Sequence, residues 1–442
     1  MKKRLFIVSV DAMVREDVEY LKTRPNFGRY MKNACEITHM RTIAPTITYP
    51  VHSAMISGCY PEKTGILNND GFAIGNNGKK WLWFAKAKQC DDLFFEAKKA
   101  GYSTASICWP VTGCHPAIDY LIDEYWMQGP KSTLKRIYRD VGSSDEVLSI
   151  IEHNKNQLPE GWEKPGKANF TRQPWFDNFL DANACEIIRR YTPELVAIHL
   201  NYVDGTRHEM GVFNSQVTHV LDLVDMWIGF LMHALEESGV LADTNIVITS
   251  DHGQMDIKRV MKPNVFLADH DYITLNEDGL VKSWKAYAFS GGMNAYVVMK
   301  DPQDKSTWKT LYDLFFSMAN EGIYGFSQVF TRQEIKEQEH VDGPFSFYLE
   351  TDGFTSFSNS CVRPVVVNSF DASDYRSGKA THGYLPDKGP QPVFLAVGPD
   401  FKKNVIIERR PVVDLASTWA KLLGVPLPEA DGRPILAFLK DQ

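Results

Sequence analysis

The amino-acid sequence predicts an α/β fold, a three-layer α/β/α sandwich with a largely parallel central sheet. Two observations lead to this prediction. Apolar runs of strand length alternate along the chain with longer segments whose apolar residues recur every three or four positions, as on the buried face of a helix. The strand-like runs are mostly apolar, which is typical of strands that are covered by helices on both faces.

Individual elements of this core follow from the same pattern. The predicted strands lie at residues 5–10, 103–109, 195–203, 245–250 and 392–397. The predicted helices lie at residues 91–100, 176–191, 216–238 and 412–423. The third of these helices ends next to Gly239, and glycine is a common residue just beyond a helix C-terminus. A polar stretch between about 128 and 172 is expected to be an excursion at the rim of the site.

The core pattern is interrupted between residues 263 and 370. Short strand-like pieces at 293–299 and 345–350 flank a helical stretch near 305–320, and the apolar strand pattern resumes only after this interval. We therefore predict a core formed by residues 1–262 and 371–442. Residues 263–370 are predicted to form a small α+β cap inserted into that core.

Composition and charge bear on the partners and the compartment of the protein. A chain of 442 residues, 44% of them hydrophobic, can bury a large core. The net charge of −7 and the scattered lysines and arginines indicate no nucleic-acid partner. No apolar run approaches the roughly 20 residues of a membrane helix, so no membrane partner is expected. The seven cysteines lack paired spacing, which favours reduced thiols and a cytoplasmic protein. The oligomeric state is left open.

Three of the predicted strands lead into an aspartate. These are Asp11, Asp204 and Asp251, and the last is followed directly by His252. His208 comes four residues after Asp204, a spacing that can place both side chains on one face of a helical turn. Since strand carboxyl ends build the site of an open α/β sheet, we expect these metal-ligand types to meet at one edge. Taken singly, each pair could equally be a solvated pair or a helix cap.

Thr48 lies just before a segment that is predicted to begin a helix at Val51. Pro50 suits the first turn of a helix, so Thr48 would sit near the positive end of that helix, where anions also bind. A threonine hydroxyl becomes a good nucleophile only when a metal or a base lowers its pKa. Thr48 is thus a candidate nucleophile, although on its own it could be a plain helix cap. His382 lies in a loop and is a weaker candidate ligand.

The order of these motifs resembles the alkaline phosphatase superfamily, and most closely the type I phosphodiesterase/nucleotide pyrophosphatase family. The most specific part is PTITYP from Pro45 to Pro50, followed by SGCYPEKTGILNN from Ser57 to Asn69. These segments are similar to the family's nucleophile segment. The resemblance implies an alkaline phosphatase-like version of the predicted fold.

The resemblance also implies roles for the candidate residues. Thr48 would be the nucleophile, Asn69 would contact a phosphoryl oxygen, and Tyr49 would stack on a nucleobase. Two divalent metal ions, expected to be Zn²⁺, would each have a group of ligands. One group is Asp11, Thr48, Asp251 and His252, and the other is Asp204, His208 and His382.

The activity that the resemblance implies is a two-metal hydrolysis of phosphodiester or pyrophosphate bonds, in nucleotides or related small phosphodiesters, through a phosphothreonine intermediate. Val203 stands where many relatives have proline, and Tyr49-Pro50-Val51 replaces a common Phe-Pro-Asn, so the preference for base and leaving group is left open. A phosphonate hydrolase or a phosphomonoesterase of the same superfamily stays open as an alternative, as does a non-catalytic metal-dependent binding protein.

Overall fold

The structure, a computed structural model, describes residues 2–74, 81–125, 133–159, 173–368, 370–371 and 374–441. The strands are β1 (Arg4–Val10), β2 (Cys35–Arg41), β3 (Thr104–Ile107), β4 (Tyr120–Ile122), β5 (Leu195–Leu200), β6 (Thr244–Thr249), β7 (Met255–Asp256), β8 (Arg259–Met261), β9 (Ile273–Leu275), β10 (Val281–Trp284), β11 (Ala286–Ser290), β12 (Asn294–Met299), β13 (Phe326–Thr331), β14 (Phe347–Thr351), β15 (Thr355–Phe357), β16 (Val366–Val367), β17 (Ala380–Thr381), β18 (Phe394–Val397) and β19 (Ile406–Pro411). The helices are α1 (Arg15–Leu21), α2 (Pro25–Tyr30), α3 (Thr48–Ser57), α4 (Pro61–Thr64), α5 (Leu93–Lys99), α6 (Leu134–Asp140), α7 (Asp145–His153), α8 (Trp175–Tyr191), α9 (Tyr202–Met210), α10 (Ser215–Glu237), α11 (Pro263–Asp269), α12 (Lys305–Glu321), α13 (Arg332–Glu339) and α14 (Asp414–Leu423).

An eight-stranded sheet forms the centre of the molecule, with the strand order β19-β2-β18-β6-β1-β5-β3-β4. Strand β18 runs antiparallel to both of its neighbours, β2 and β6. The other adjacent strands of this sheet pair in parallel. The prediction of a largely parallel central sheet is therefore confirmed.

Helices cover both faces of this sheet. Along β1, Phe6, Val8 and Val10 point into one apolar core, which also contains residues of α1, α2, α6, α7, α8 and α10. Leu5 and Ile7 point into a second core on the opposite face, which they share with α3, α5 and α14. Because side chains alternate between the faces of a strand, an all-apolar strand supplies both cores at once. The predicted three-layer α/β/α arrangement is confirmed.

The predicted core strands and helices are present, with ends that differ by a few residues. The strand predicted at 195–203 stops at Leu200. Oδ2 of Asp177, on α8, accepts hydrogen bonds from the backbone N–H groups of Asn201 and Tyr202, both at 3.0 Å. This carboxylate satisfies N–H groups that a helix start leaves without partners, so α9 begins at Tyr202.

The polar stretch predicted as an excursion at 128–172 lies partly outside the described residues. Its described part, residues 133–159, contains α6 and α7. Ile137 and Ile151 from these helices are buried in the core against the sheet. For this part the prediction was wrong, because the polar residues form the outer face of two amphipathic helices whose inner faces complete one helical layer.

A second, antiparallel sheet lies in the interval that was predicted to form a cap. Its strand order is β11-β12-β14-β13, and α12 packs against it. Leu311 and Phe315 of α12 share an apolar cluster with Val297 and Leu349 of the sheet. The division of the chain into a core and a cap at 263–370 stays a prediction.

Candidate active site

The candidate ligands gather at the edge of the sheet where the parallel strands end. Asp11 directly follows β1, and its backbone N–H donates to the carbonyl of Leu200 at the end of β5. Asp251 follows β6 after one intervening residue, and Thr48 is the first residue of α3, the helix that follows β2. Asp204 lies on α9, which follows β5. Since β2, β6, β1 and β5 run in the same direction, their carboxyl ends bring these residues to one edge.

His382 reaches the same edge from a distant part of the sequence. It follows β17, which pairs with β7 so that Thr381 lies opposite Met255. The Nδ1 atom of His382 lies 3.0 Å from the carbonyl oxygen of Thr46, and a carbonyl can only accept, so Nδ1–H donates. The imidazole stacks on that of His252, with ring centroids 4.0 Å apart. This places His382 among the other candidate ligands.

One group of ligands surrounds the Thr48 hydroxyl. The Oγ1 atom of Thr48 lies 3.2 Å from Nε2 of His252. The same Nε2 lies 3.1 Å from Oδ2 of Asp251 and 3.6 Å from Oδ1 of Asp11. All four side chains are buried. The structure therefore brings together the four residues that were predicted to surround the first metal ion.

The second group is built around Asp204. Its Oδ2 lies 3.1 Å from Nε2 of His208, and its Oδ1 lies 3.8 Å from Nε2 of His382. Nδ1 of His208 donates to the carbonyl of Ala380 at 2.8 Å, which leaves Nε2 directed at the carboxylate. Donor atoms of Asp204, His252 and His382 all lie within 4.8 Å of one another. His252 therefore lies between the two groups.

The charges in this site call for a positive partner. Oδ1 of Asp11 and Oδ2 of Asp251 are buried and accept no hydrogen bond from the described residues. Burial, reinforced by neighbouring carboxylates, raises the pKa of Asp11 well above its usual value and that of Asp251 to about 8. Burial also lowers the pKa of His382 to about 3 and that of His252 well below its usual value, so both imidazoles are neutral.

Neutral imidazoles with free lone pairs and carboxylates without a counter-charge are what a divalent cation requires. For Asp204, burial acts to raise the pKa, but His208, His382 and His252 together hold it below the usual value. A mixed nitrogen and oxygen donor set of this kind fits Zn²⁺. The residues present therefore fit the two metal sites that the sequence suggested.

Asn69 and Tyr49 meet at the start of α3. Oδ1 of Asn69 accepts a hydrogen bond from the backbone N–H of Tyr49 at 2.9 Å. The backbone N–H of Asn69 donates to Oδ1 of Asn68, also at 2.9 Å. The ring of Tyr49 is fully buried and meets the ring of Trp81 edge-on, with centroids 5.3 Å apart. In this structure Tyr49 forms part of the packed wall of the site, and its stacking on a nucleobase stays a prediction.

His199 is a site residue that the sequence reasoning missed. It lies within β5, with Nε2 3.2 Å from Oδ2 of Asp11 and Nδ1 3.3 Å from the carbonyl of Cys108. Burial lowers its pKa to about 4, so the ring is neutral and carries a single N–H. Because the carbonyl of Cys108 can only accept, Nδ1–H donates to it, and the lone pair of Nε2 faces the carboxyl group of Asp11. The available signal was a histidine inside an otherwise apolar strand.

Arg207 was also missed, although it lies between Asp204 and His208 in the sequence. Its guanidinium is fully buried and donates to both carboxylate oxygens of Asp17, at 2.8 and 2.9 Å, and to the carbonyl of Ala12. Ala12 is the neighbour of Asp11. Arg207 therefore connects the helix that carries one ligand group to the loop that carries the other.

Comparison with known proteins gives a consistent result. Residues 5–352 match the family model described as Type I phosphodiesterase / nucleotide pyrophosphatase. The chain is 24% identical over 433 residues to ectonucleotide pyrophosphatase/phosphodiesterase family member 3 of Bos taurus. This alignment covers 93% of this chain but only 41% of that protein. It is 22% identical over 443 residues to family member 5 of Homo sapiens, with 96% of this chain and 75% of that protein covered. The chain thus spans less than half of the first of these two relatives.

Solved structures show the same fold. A structure of murine family member 5 in its inactive form, in complex with AMP, superimposes with a TM-score of 0.65 at 20% sequence identity, covering 100% of both chains. At this level of identity the similarity establishes the alkaline phosphatase-like fold.

The prediction of a cytoplasmic protein was wrong. The relatives are named as ectonucleotide enzymes, which conflicts with that prediction. The cysteines were a poor guide because four of the seven are buried free thiols, and a buried thiol packs like a small apolar side chain in any compartment. In the part of the chain that the structure describes, none of the helices combines the length and the apolar character that crossing a membrane requires.

Proposed function

The chain belongs to the type I phosphodiesterase/nucleotide pyrophosphatase family, and from this premise we propose that it hydrolyses phosphodiester or pyrophosphate bonds of nucleotides with Thr48 as the nucleophile. One observation carries the proposal. The Thr48 hydroxyl lies 3.2 Å from Nε2 of His252, the imidazole that lies between the two groups of candidate ligands. A cation held by the group that includes Thr48 would lower the pKa of its hydroxyl and make it a better nucleophile.

The proposal includes two divalent cations, which we expect to be Zn²⁺. The residues that would hold them are Asp11, Thr48, Asp251 and His252 for one ion and Asp204, His208 and His382 for the other. Bound cations would supply the positive charge that stabilises negative charge on the nucleophile and on the phosphoryl oxygens. The buried carboxylate oxygens without hydrogen-bond partners support this part of the proposal.

The start of α3 would position the phosphoryl group. Thr48 is the first residue of the helix, where the helix dipole favours negative charge. Asn69 uses its side-chain oxygen to accept from Tyr49, so its amide nitrogen is left to donate to a phosphoryl oxygen. A donor of this kind acts most strongly on the charge that develops in the transition state.

The reaction would proceed in two displacements. Oγ1 of Thr48 forms a bond to phosphorus while the bond to the leaving oxygen breaks, which gives a phosphothreonine. Water then displaces Thr48 from phosphorus. Each step inverts the configuration at phosphorus, so the overall result is retention. Acid quenching of a single turnover, followed by peptide mass spectrometry, should find the phosphoryl group on Thr48.

Aromatic rings beside the second ligand group support a nucleotide as substrate. Tyr375 stacks on His382 with an interplanar angle of 14°, and it meets the ring of Trp81 edge-on at 6.2 Å between centroids. Both side chains are partly exposed, so their faces offer an apolar surface to a nucleobase. A relative with this fold has been solved in complex with AMP, which is consistent with the same substrate class.

The test compares three substrates with zinc-loaded protein: bis-p-nitrophenyl phosphate, p-nitrophenyl phosphate and a nucleoside 5′-phosphodiester. We expect diester turnover to exceed monoester turnover and to be fastest with the nucleoside. Thr48→Ala should abolish turnover while zinc content stays largely intact, Thr48→Ser should retain part of it, and Thr310→Ala, on the exposed face of α12, should match the wild type.

Other outcomes would favour the alternatives. Preference for the monoester would indicate a phosphomonoesterase, and turnover of a phosphonate but of none of the three esters would indicate a phosphonate hydrolase. Bound zinc without turnover of any substrate would favour a metal-dependent binding protein. Full activity of Thr48→Ala would refute the assignment of the nucleophile.

A further inference from the structure

A third group of metal-ligand side chains lies beside the two groups of the candidate active site. Cys108 directly follows β3, Glu124 is the second residue after β4, and His199 lies within β5. The sulfur of Cys108, a carboxylate oxygen of Glu124 and a ring nitrogen of His199 all lie within 4.8 Å of one another. We propose that these three residues hold a further divalent cation of the zinc class.

The central sheet brings the three residues together. Strands β5, β3 and β4 are neighbours in that sheet, and they run parallel. Their carboxyl ends therefore lie at the same edge as the other candidate ligands. The backbone N–H of Cys108 donates to the carbonyl of Ile122 at 2.6 Å, which holds the end of β3 beside the end of β4. The position of the third group thus follows from the order of the strands.

The carboxylates after β4 lack compensation for their burial. Glu124 is 6% exposed, and no described residue forms a hydrogen bond with its Oε2. The preceding residue, Asp123, is fully buried, and its Oδ2 also has no hydrogen-bond partner among the described residues. A carboxylate that is buried without a partner is costly, and a second one beside it adds repulsion between like charges. A bound cation would offset both costs.

The thiol of Cys108 has the surroundings of a metal ligand. Cys108 is fully buried, and Nδ2 of Asn201 donates to its sulfur at 3.5 Å. A donor directed at sulfur stabilises the negative charge of a thiolate, which is the form that binds a metal. Metal ligands commonly have outer hydrogen-bond partners of this kind. Asn201 directly follows β5, so the same strand supplies one ligand and the partner of another.

The donor set selects the kind of cation. A thiolate sulfur with an imidazole nitrogen suits Zn²⁺, whereas Mg²⁺ and Ca²⁺ prefer ligand sets made of oxygen. Three protein ligands leave the fourth position of a tetrahedral ion to a water molecule. Nε2 of His199 lies 3.2 Å from Oδ2 of Asp11, a candidate ligand of the first group. The third ion would therefore fix the ring that contacts Asp11.

The experiment replaces the bound ions by Co²⁺. The full chain is produced in zinc-depleted medium with added Co²⁺, because a buried ion is taken up as the chain folds. Neither group of the candidate active site includes a cysteine, so a sulfur-to-cobalt charge-transfer band in the near ultraviolet reports on thiolate binding outside them. We expect this band in the wild type and its loss in Cys108→Ala. Cys108→Ala and Glu124→Gln should each contain one metal ion per chain fewer than the wild type, by elemental analysis.

Two further variants are the controls. Cys114→Ser removes an exposed thiol that could bind Co²⁺ adventitiously, and it should retain the band. His382→Ala removes a ligand of the second group, so it should abolish turnover and lower the metal content while the band persists. Because the band does not depend on turnover, a failure of the proposed function and a failure of the third site give different results.

Three results would overturn the proposal. The first is a cobalt-loaded wild type without the charge-transfer band. The second is a band that Cys114→Ser loses and Cys108→Ala retains, which would assign it to the exposed thiol. The third is a Glu124→Gln variant with the band and the metal content of the wild type. The spectrum of the wild type decides the first result even if a variant fails to fold.

Discussion

Replacing Arg207 by methionine tests how the two ligand groups are joined. Arg207 is fully buried and donates to both carboxylate oxygens of Asp17, to the carbonyl of Ala12 and, at 3.1 Å, to the carbonyl of Val212. Methionine fills a similar volume but offers no donor. Arg207→Met should therefore leave the Asp17 carboxylate in the interior without its counter-charge.

The magnitude follows from the burial of this pair. Asp17 is 4% exposed, and burial raises its pKa even with Arg207 present. Removing one partner of a buried ion pair costs about 3–5 kcal/mol, because the remaining charge stays unpaired. The double variant Arg207→Met/Asp17→Asn carries no unpaired charge. Its free energy of unfolding should exceed that of Arg207→Met, and the coupling between the two changes should be about 1–3 kcal/mol.

Urea unfolding of chelator-treated protein measures these differences without a contribution from bound metal. Arg189→Met is the matched control, since Arg189 pairs with Glu237 at 2.7 Å where both side chains are more than 40% exposed. That change should cost less than about 1 kcal/mol. A similarly small cost for Arg207→Met, or additive effects in the double variant, would refute the reasoning.

Three further predictions concern the site itself. Chelation should abolish turnover and leave a protein whose stability falls between pH 7 and pH 8, because the pKa of Asp251 is about 8 in the folded state against an ordinary 3.8, so that its proton is lost on unfolding. The buried neutral histidines act in the opposite direction only below their ordinary pKa of 6.5. Scanning calorimetry at pH 7 and pH 8 measures the fall, and equal stability at both would contradict it. Asn69→Ala should lower kcat/KM by about 10²–10³-fold at unchanged zinc content, and an unchanged rate would remove Asn69 from the mechanism. Gly378→Ala would place a Cβ 2.4 Å from the carbonyl oxygen of His208, so it should weaken zinc binding by about 10–100-fold in a chelator competition. Gly71→Ala is the control, because its Cβ would meet its nearest neighbour at 4.0 Å, and it should leave zinc binding unchanged.

The central strands were predictable because both of their faces are buried. In β1, β5 and β6 most positions are apolar or small, because these strands lie between two helical layers, and such runs stand out in a sequence. The edge strand β19 was missed because it carries exposed charged residues such as Glu408 and Arg409. Strand β2, its neighbour, exposes His39 and was missed for the same reason.

The surroundings of the site depend on contacts between distant parts of the chain. The start of α9, which fixes the spacing of Asp204 and His208, is set by the carboxylate of Asp177, and no local pattern around residue 202 indicates it. The partners of Asp11 and Asp17, His199 and Arg207, are likewise remote in sequence. Residue types and their order therefore indicated the candidate ligands, whereas the groups that hold them in place required the folded structure.

Strand β18 has a consequence for how the protein is made. It lies between β2 and β6, pairing Phe394 with Ile37 on one side and with Thr249 on the other. During synthesis β2 and β6 leave the ribosome long before β18 does, so the middle of the sheet stays open until residues 394–397 have emerged. The strand that leads to Thr48 and the strand that leads to Asp251 reach their final separation only then. A nascent chain would thus carry no assembled active centre, and long-range pairing of this kind is slow to form.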